Sequence, residues 1–208
     1  MSTGPAVGFD LDMTLIDSRP GIRATYAEVA RRTGAPIDPD VAVSRLGPPL
    51  EVELASWVSP DQVADLVVLF RRLYPELAVP RIDLLPGARE AVAAVRALGG
   101  RSFVLTAKHA ASARLHVDHL DLAVDDVVGD AWREGKADVL RERGAAAYVG
   151  DHVHDMEAGR GADVLTIGVT TGPCAADELR AAGADHVVPS LHAVGDLLAG
   201  LPQATRER

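Results

Sequence analysis

The chain has 208 residues, 48% hydrophobic and 25% charged, which suits one globular unit or a core carrying a small accessory domain. Its net charge of −9, without a basic block, disfavours a nucleic-acid partner and leaves a small anionic substrate open, since charge at a site can oppose the overall sign. The single cysteine, Cys174, excludes a disulfide framework and a multi-cysteine metal site. The sequence has no basic-then-apolar leader and no apolar run approaching ~18 residues, so a soluble, cytoplasmic monomer or homodimer with no membrane partner is expected.

Val7-Gly8-Phe9 is too short for a helix and lies next to Gly4 and Pro5, which predicts a buried strand. It runs into Asp10-Leu11-Asp12-Met13-Thr14. Two carboxylates at a strand end are costly, because like charges ~4 Å apart repel by about 4 kcal/mol at an effective dielectric near 20. Such a pair calls for a cation, a shared proton or chemistry. From Ser18 to about Leu84 the pattern is helical. Ser18 with Pro20, Asp38-Pro39, Leu50 to Trp57 and Ser59-Pro60 mark four short helices with no strand among them. They predict a small helical bundle inserted after the first strand.

After Leu85-Pro86-Gly87 the rhythm changes. A helix with Ala88, Ala91, Val92 and Val95 closes at Gly99-Gly100, and Ser102 to Thr106 is a buried strand. Helix over 110–119, strand over 126–128, helix over 136–143, strand over 146–149, helix over 155–161 and strand over 164–169 follow. A helix over 177–182, a strand over 186–188 and a last helix over 191–198 complete the series, and 203–208 is expected to fray. Alternating strands and helices are the pattern of a parallel sheet covered on both faces. The predicted fold is therefore α/β: a Rossmann-like, doubly wound core over 1–17 and 85–208, with a helical cap over 18–84.

Polar residues gather where strands end or helices begin: Asp10 and Asp12, Thr106, Lys136, and Asp151 with Asp155. Strand C-termini share one edge of such a sheet, so these segments can meet there. Asp10-x-Asp12-x-Thr14, Thr106, Lys136 and Gly150-Asp151-x-x-x-Asp155, in that order, resemble the four motifs of the haloacid dehalogenase superfamily of phosphohydrolases. Leu15-Ile16-Asp17-Ser18 and Leu85-Pro86-Gly87 look like its phosphoglycolate phosphatase and β-phosphoglucomutase branch.

The resemblance implies a Mg²⁺-dependent phosphatase of a small phosphorylated metabolite, phosphoglycolate-like or a sugar phosphate, with a phosphomutase or a non-catalytic phosphate-binding regulator as alternatives. Asp10 would be the nucleophile and Asp12 the acid and base, its pKa raised by acidic surroundings. Thr106 and Lys136 would steady the phosphoryl group. The metal would lie among the Asp10 carboxylate, the Asp12 main-chain carbonyl, Asp151 and Asp155, the last orienting a water or Lys136. Lys108 and Arg45 are the candidate contacts to the rest of the substrate. Met13, where many relatives carry glycine, is expected to face the region between core and cap and narrow the pocket. His152 and His154 are expected as helix-start histidines.

Overall fold

The computed structural model describes residues 4–200, so the tail expected over 203–208 lies outside the described residues. Strand β1 (Ala6–Phe9) is followed by a two-residue strand β2 (Ile16–Asp17) and four helices: α1 (Arg19–Thr33), α2 (Pro39–Ser44), α3 (Leu50–Leu54) and α4 (Pro60–Leu77). A second two-residue strand, β3 (Asp83–Leu84), closes the insertion. The chain then alternates through α5 (Ala88–Ala97), β4 (Arg101–Leu105), α6 (Ala110–His119), β5 (Asp126–Val128), α7 (Glu134–Glu142) and β6 (Ala145–Gly150). It ends with α8 (Val153–Gly161), β7 (Leu165–Val169), α9 (Ala176–Ala182), β8 (His186–Val188) and α10 (Val194–Ala199).

Six strands form one parallel sheet in the order β5-β4-β1-β6-β7-β8. Side chains alternate across a strand, and here each alternate set is buried. Val7, Phe9, Val104, Ala147 and Val149 join one apolar cluster with α5, α10 and the inserted helices. Ala6, Phe103, Leu105 and Tyr148 join the other, with Ala137 and Leu140 of α7 and Ala158 of α8. Covering both faces is what makes these strands read as continuous apolar runs. The chain goes from β1 to β4 and β5 on one side, then to β6, β7 and β8 on the other. That reversal opens a crevice at the carboxyl ends of β1, β4 and β6, where ligands bind in such sheets.

The inserted helices begin where proline and a small polar residue allow. The Asp38 side chain accepts from the N–H groups of Asp40 and Val41 at the start of α2, with Pro39 in the first turn. Ser59 and Pro60 start α4, which buries Leu66, Val67, Phe70, Leu73 and Tyr74 on one face. The connection to the sheet is a finding that chain-order reading did not provide. β2 and β3 pair antiparallel, Ile16 opposite Leu84 and Asp17 opposite Asp83, so the chain leaves for the insertion and returns from it through one ribbon. None of the described helices is long and apolar enough to cross a membrane.

Candidate active site

Backbone register carries Asp10 and Thr106 to the sheet edge. The Asp10 N–H donates to the Val149 carbonyl (2.8 Å), extending the β1–β6 ladder one step beyond the strand, and the Thr106 N–H does the same to Val128 (3.0 Å). Lys136, on α7, reaches the same point and is buried there. Its Nζ donates to Asp10 Oδ1 (2.8 Å), Asp155 Oδ1 (2.6 Å) and the Tyr148 hydroxyl (2.9 Å). That hydroxyl in turn donates to the Leu105 carbonyl at 2.8 Å. Asp155 Oδ2 accepts from the His152 N–H (3.1 Å), and Asp151 Oδ1 accepts from Thr14 Oγ1 (2.7 Å).

Two glycines make room for this cluster. A Cβ on Gly150 would fall 2.4 Å from the Asp155 Cβ, and one on Gly172 would fall 1.7 Å from Asp151 Oδ2. Thr14, which holds Asp151, closes the motif that begins at Asp10, whereas Tyr148 and Gly172 are site residues that the sequence did not single out. Only Tyr148 gave a signal, since a tyrosine in an otherwise apolar strand needs a partner for its hydroxyl.

Asp10, Asp151 and Asp155 are all buried, with one oxygen from each within 4.8 Å of the others. One ammonium, Lys136, faces three carboxyl groups. Burial raises the Asp10 pKa to about 7, the neighbouring carboxylates add to the rise, and Lys136 opposes it. Burial and the charges of Asp10 and Asp155 push Asp151 well above the usual carboxylate range. Lys136 moves the other way from a lone buried lysine: burial disfavours its charge, yet Asp10 and Asp155 outweigh that and hold it protonated. The hydrogen bonds described commit both oxygens of Asp155 but only one each of Asp10 and Asp151. An oxygen-only donor set with surplus negative charge fits a hard divalent cation such as Mg²⁺.

Asp12 departs from expectation. Lys108 Nζ donates to both of its oxygens, at 2.8 and 3.0 Å. Burial would raise the Asp12 pKa, but the charge and hydrogen bonds of Lys108 win and hold it below the ordinary value. The acidic surroundings anticipated for Asp12 are shielded by this lysine, which also lies 4.9 Å from the centre of the Tyr74 ring.

The cluster opens into a cavity of about 240 Å³ between the sheet edge and the inserted helices. Asp10, Asp12, Thr106, Lys108, Lys136, Asp151 and Asp155 all border it. Arg45 does not: its guanidinium bonds Glu53 (2.6 Å) and Ser56 and lies 5.1 Å from the centre of the Trp57 ring. Arg71, from α4, is the arginine at the cavity wall. Met13 does not narrow the cavity either. It is buried with a left-handed backbone (φ 62°), and its carbonyl accepts from Thr171 Oγ1 at 2.6 Å. That backbone region favours glycine, which gives a conformational reason for a small residue at this position. His152 and His154 do sit at the start of α8, His152 as its N-cap, and both border the cavity.

Residues 7–169 match the model of the haloacid dehalogenase-like hydrolases. The chain belongs to this family. A phosphoglycolate phosphatase of Chromobacterium violaceum is 28% identical over 221 residues, covering 93% of this chain and 96% of that one. A tyrosine-protein kinase, PtkA, of Mycobacterium tuberculosis is 28% identical over 176 residues. That alignment takes in 77% of this chain but spans only 60% of the kinase's length. A haloacid dehalogenase-like hydrolase from Streptococcus pneumoniae has the same fold, with a TM-score of 0.80, 22% identity and coverage of 96% and 99% of the two chains.

Proposed function

We propose that this haloacid dehalogenase-like protein is a Mg²⁺-dependent phosphatase of small phosphate monoesters. The observation that carries the reading is the Asp10 carboxylate, held at a strand end with one oxygen on Lys136 and the other uncommitted beside two further buried acids, Asp151 and Asp155. The name of the Chromobacterium violaceum relative agrees with it. A carboxylate so placed attacks phosphorus and forms an aspartyl-phosphate, dividing one difficult displacement into two. The departing alkoxide takes a proton from Asp12. Asp12 later removes a proton from the water that attacks the aspartyl-phosphate, releasing phosphate and restoring Asp10.

Asp12 begins as an anion paired with Lys108, so it serves as an acid only after Lys108 lets go. An entering phosphoryl group draws that lysine away and lets the Asp12 pKa rise, and Asp12 takes up a proton from solvent water before the ester bond breaks. Lys136 and the Thr106 hydroxyl hold the phosphoryl oxygens, while Asp155 and Tyr148 hold Lys136 in position. The Asp10 and Asp151 carboxylates and the Asp12 main-chain carbonyl would bind Mg²⁺, which when bound neutralises charge on the phosphoryl group. The inserted helices over 18–84 act as a cap on the core of 1–17 and 85–208, keeping bulk water from the aspartyl-phosphate.

Beryllofluoride, a mimic of aspartyl-phosphate, tests the assignment. Fluorine NMR should show a bound signal that requires both Mg²⁺ and Asp10. A signal that persists in the Asp10→Ala protein would refute the nucleophile, and phosphate release that survives chelation of Mg²⁺ would refute the metal.

A further inference from the structure

The charges around the cavity restrict what can be attached to the phosphoryl group. Its lysine and arginine cations, among the described residues, are Lys136, Lys108 and Arg71, and each is already bonded to a carboxylate: Asp10 and Asp155, Asp12, and Glu51 (2.7 Å). Asp130 borders the same space and adds a further acid. A phosphoryl dianion is provided for by Lys136, by Lys108 once it leaves Asp12, and by the acidic trio with its cation. A second anion on the leaving group meets Glu51 and Asp130, and Arg45 is held outside the cavity by Glu53.

The walls are aromatic on both sides. From the inserted helices come Tyr26, Phe70 and Tyr74 as one row, with ring centres 4.8 and 5.5 Å apart. From the core comes Trp132, edge-on to His154 at 6.0 Å. Rings gain from stacking and edge contacts beyond the apolar area they bury. Two donors at these walls, Arg71 Nε and Trp132 Nε1, are buried without a partner among the described residues. Neither atom is exposed to the cavity, and Glu51 neutralises Arg71, so these walls meet the leaving group with ring surfaces rather than charge. An apolar cavity of roughly 150 Å³ admits benzene. About 240 Å³ therefore suits one ring together with a phosphoryl group.

We propose that the substrate is a phosphate monoester whose leaving group is an uncharged single aromatic ring, joined to the ester oxygen through carbon. This rests on the phosphatase reading of the site and narrows it away from phosphoglycolate, which carries a second carboxylate, and from hexose phosphates, whose hydroxyls would face the aromatic wall.

The test compares kcat/KM for benzyl phosphate, ethyl phosphate, phosphoglycolate and glucose 6-phosphate in the presence of Mg²⁺. Benzyl and ethyl phosphates release alkoxides of similar basicity, so the comparison reads the ring and not the chemistry. Benzyl phosphate should exceed each of the others by about tenfold or more, and Trp132→Leu should remove about tenfold from the benzyl value. Phosphoglycolate turnover equal to or above benzyl phosphate would overturn the proposal and leave the phosphatase reading intact. If no ester is hydrolysed, the phosphatase reading fails by itself. Calorimetric binding of benzylphosphonate against ethylphosphonate then still decides the ring, equal affinities overturning it.

Discussion

His116 should make the protein lose stability below neutral pH, by an amount that one substitution removes. The side chain is fully buried on α6, its Nε2 is 2.9 Å from the Tyr74 hydroxyl, and its Nδ1 has no partner among the described residues. Burial, reinforced by the charge of Lys108, lowers its pKa from 6.5 to about 3. The unfolded chain therefore takes up a proton near pH 6.5 that the folded chain refuses until near pH 3. Stability is intact above the unfolded value and falls as the pH drops between the two, by at most about 1.4 kcal/mol per pH unit. From pH 7 to pH 5 the loss reaches about 2 kcal/mol. Urea unfolding of wild type and His116→Gln near pH 7 and near pH 5 isolates this residue, because the other histidines cancel in the difference. The variant starts lower for want of a well-fitted ring, but its deficit should shrink by about 2 kcal/mol at the lower pH. A deficit that is the same at both pH values would refute the reasoning.

Three further outcomes follow from the site. Gly172→Ala places a methyl group where Asp151 Oδ2 now lies, so it should weaken Mg²⁺ binding by about tenfold or more; a dye-monitored Mg²⁺ titration with unchanged affinity would contradict this. Asp10→Asn should abolish turnover yet raise the melting temperature of the metal-free protein above neutral pH, because a carboxyl whose pKa rises from 3.8 to about 7 on folding costs stability once ionised. A lower melting temperature would show that the Lys136 pair outweighs the crowding of acids. Arg45→Ala should leave kcat/KM within about twofold, since its guanidinium is bound to Glu53 away from the cavity; a tenfold loss would restore it as a substrate contact.

The strands and helices of the sheet were readable because the central strands β1, β4 and β6 are buried on both faces and the helices between strands carry apolar residues at helical spacing. Asp10, Thr106, Lys136, Asp151 and Asp155 were readable because strand ends share an edge, and the structure gathers them around one cavity. What escaped depends on distances across the chain. Strands β2 and β3 have two residues each, too few for any periodicity, and exist only through one another. Lys108 lies two positions beyond Thr106, but nothing local indicates that its ammonium bonds an aspartate 96 positions earlier. Arg45 and Arg71 are indistinguishable as types, and only the packing of α4 decides which one borders the cavity. Met13 was legible as an oddity but not as a backbone conformation, because a positive φ in a methionine leaves no trace in composition.

The narrow ribbon of β2 and β3 has a kinetic consequence. In the sheet β1 must find β4, although the whole helical insertion lies between them. The contacts of α1 with α2 and α4, and of α3 with α4, are made among near neighbours in sequence, which favours their forming before the β1–β4 pairing. Once they have formed, pairing of Asp17 with Asp83 brings the two ends of that long loop together, and β1 and β4 meet as if joined by a short connection. Docking two aspartates opposite each other is unfavourable in itself, and Arg19, bound to Asp17 at 2.7 Å, relieves it. The ribbon thus shortens the effective loop between β4 and β1, the strand that leads into Asp10.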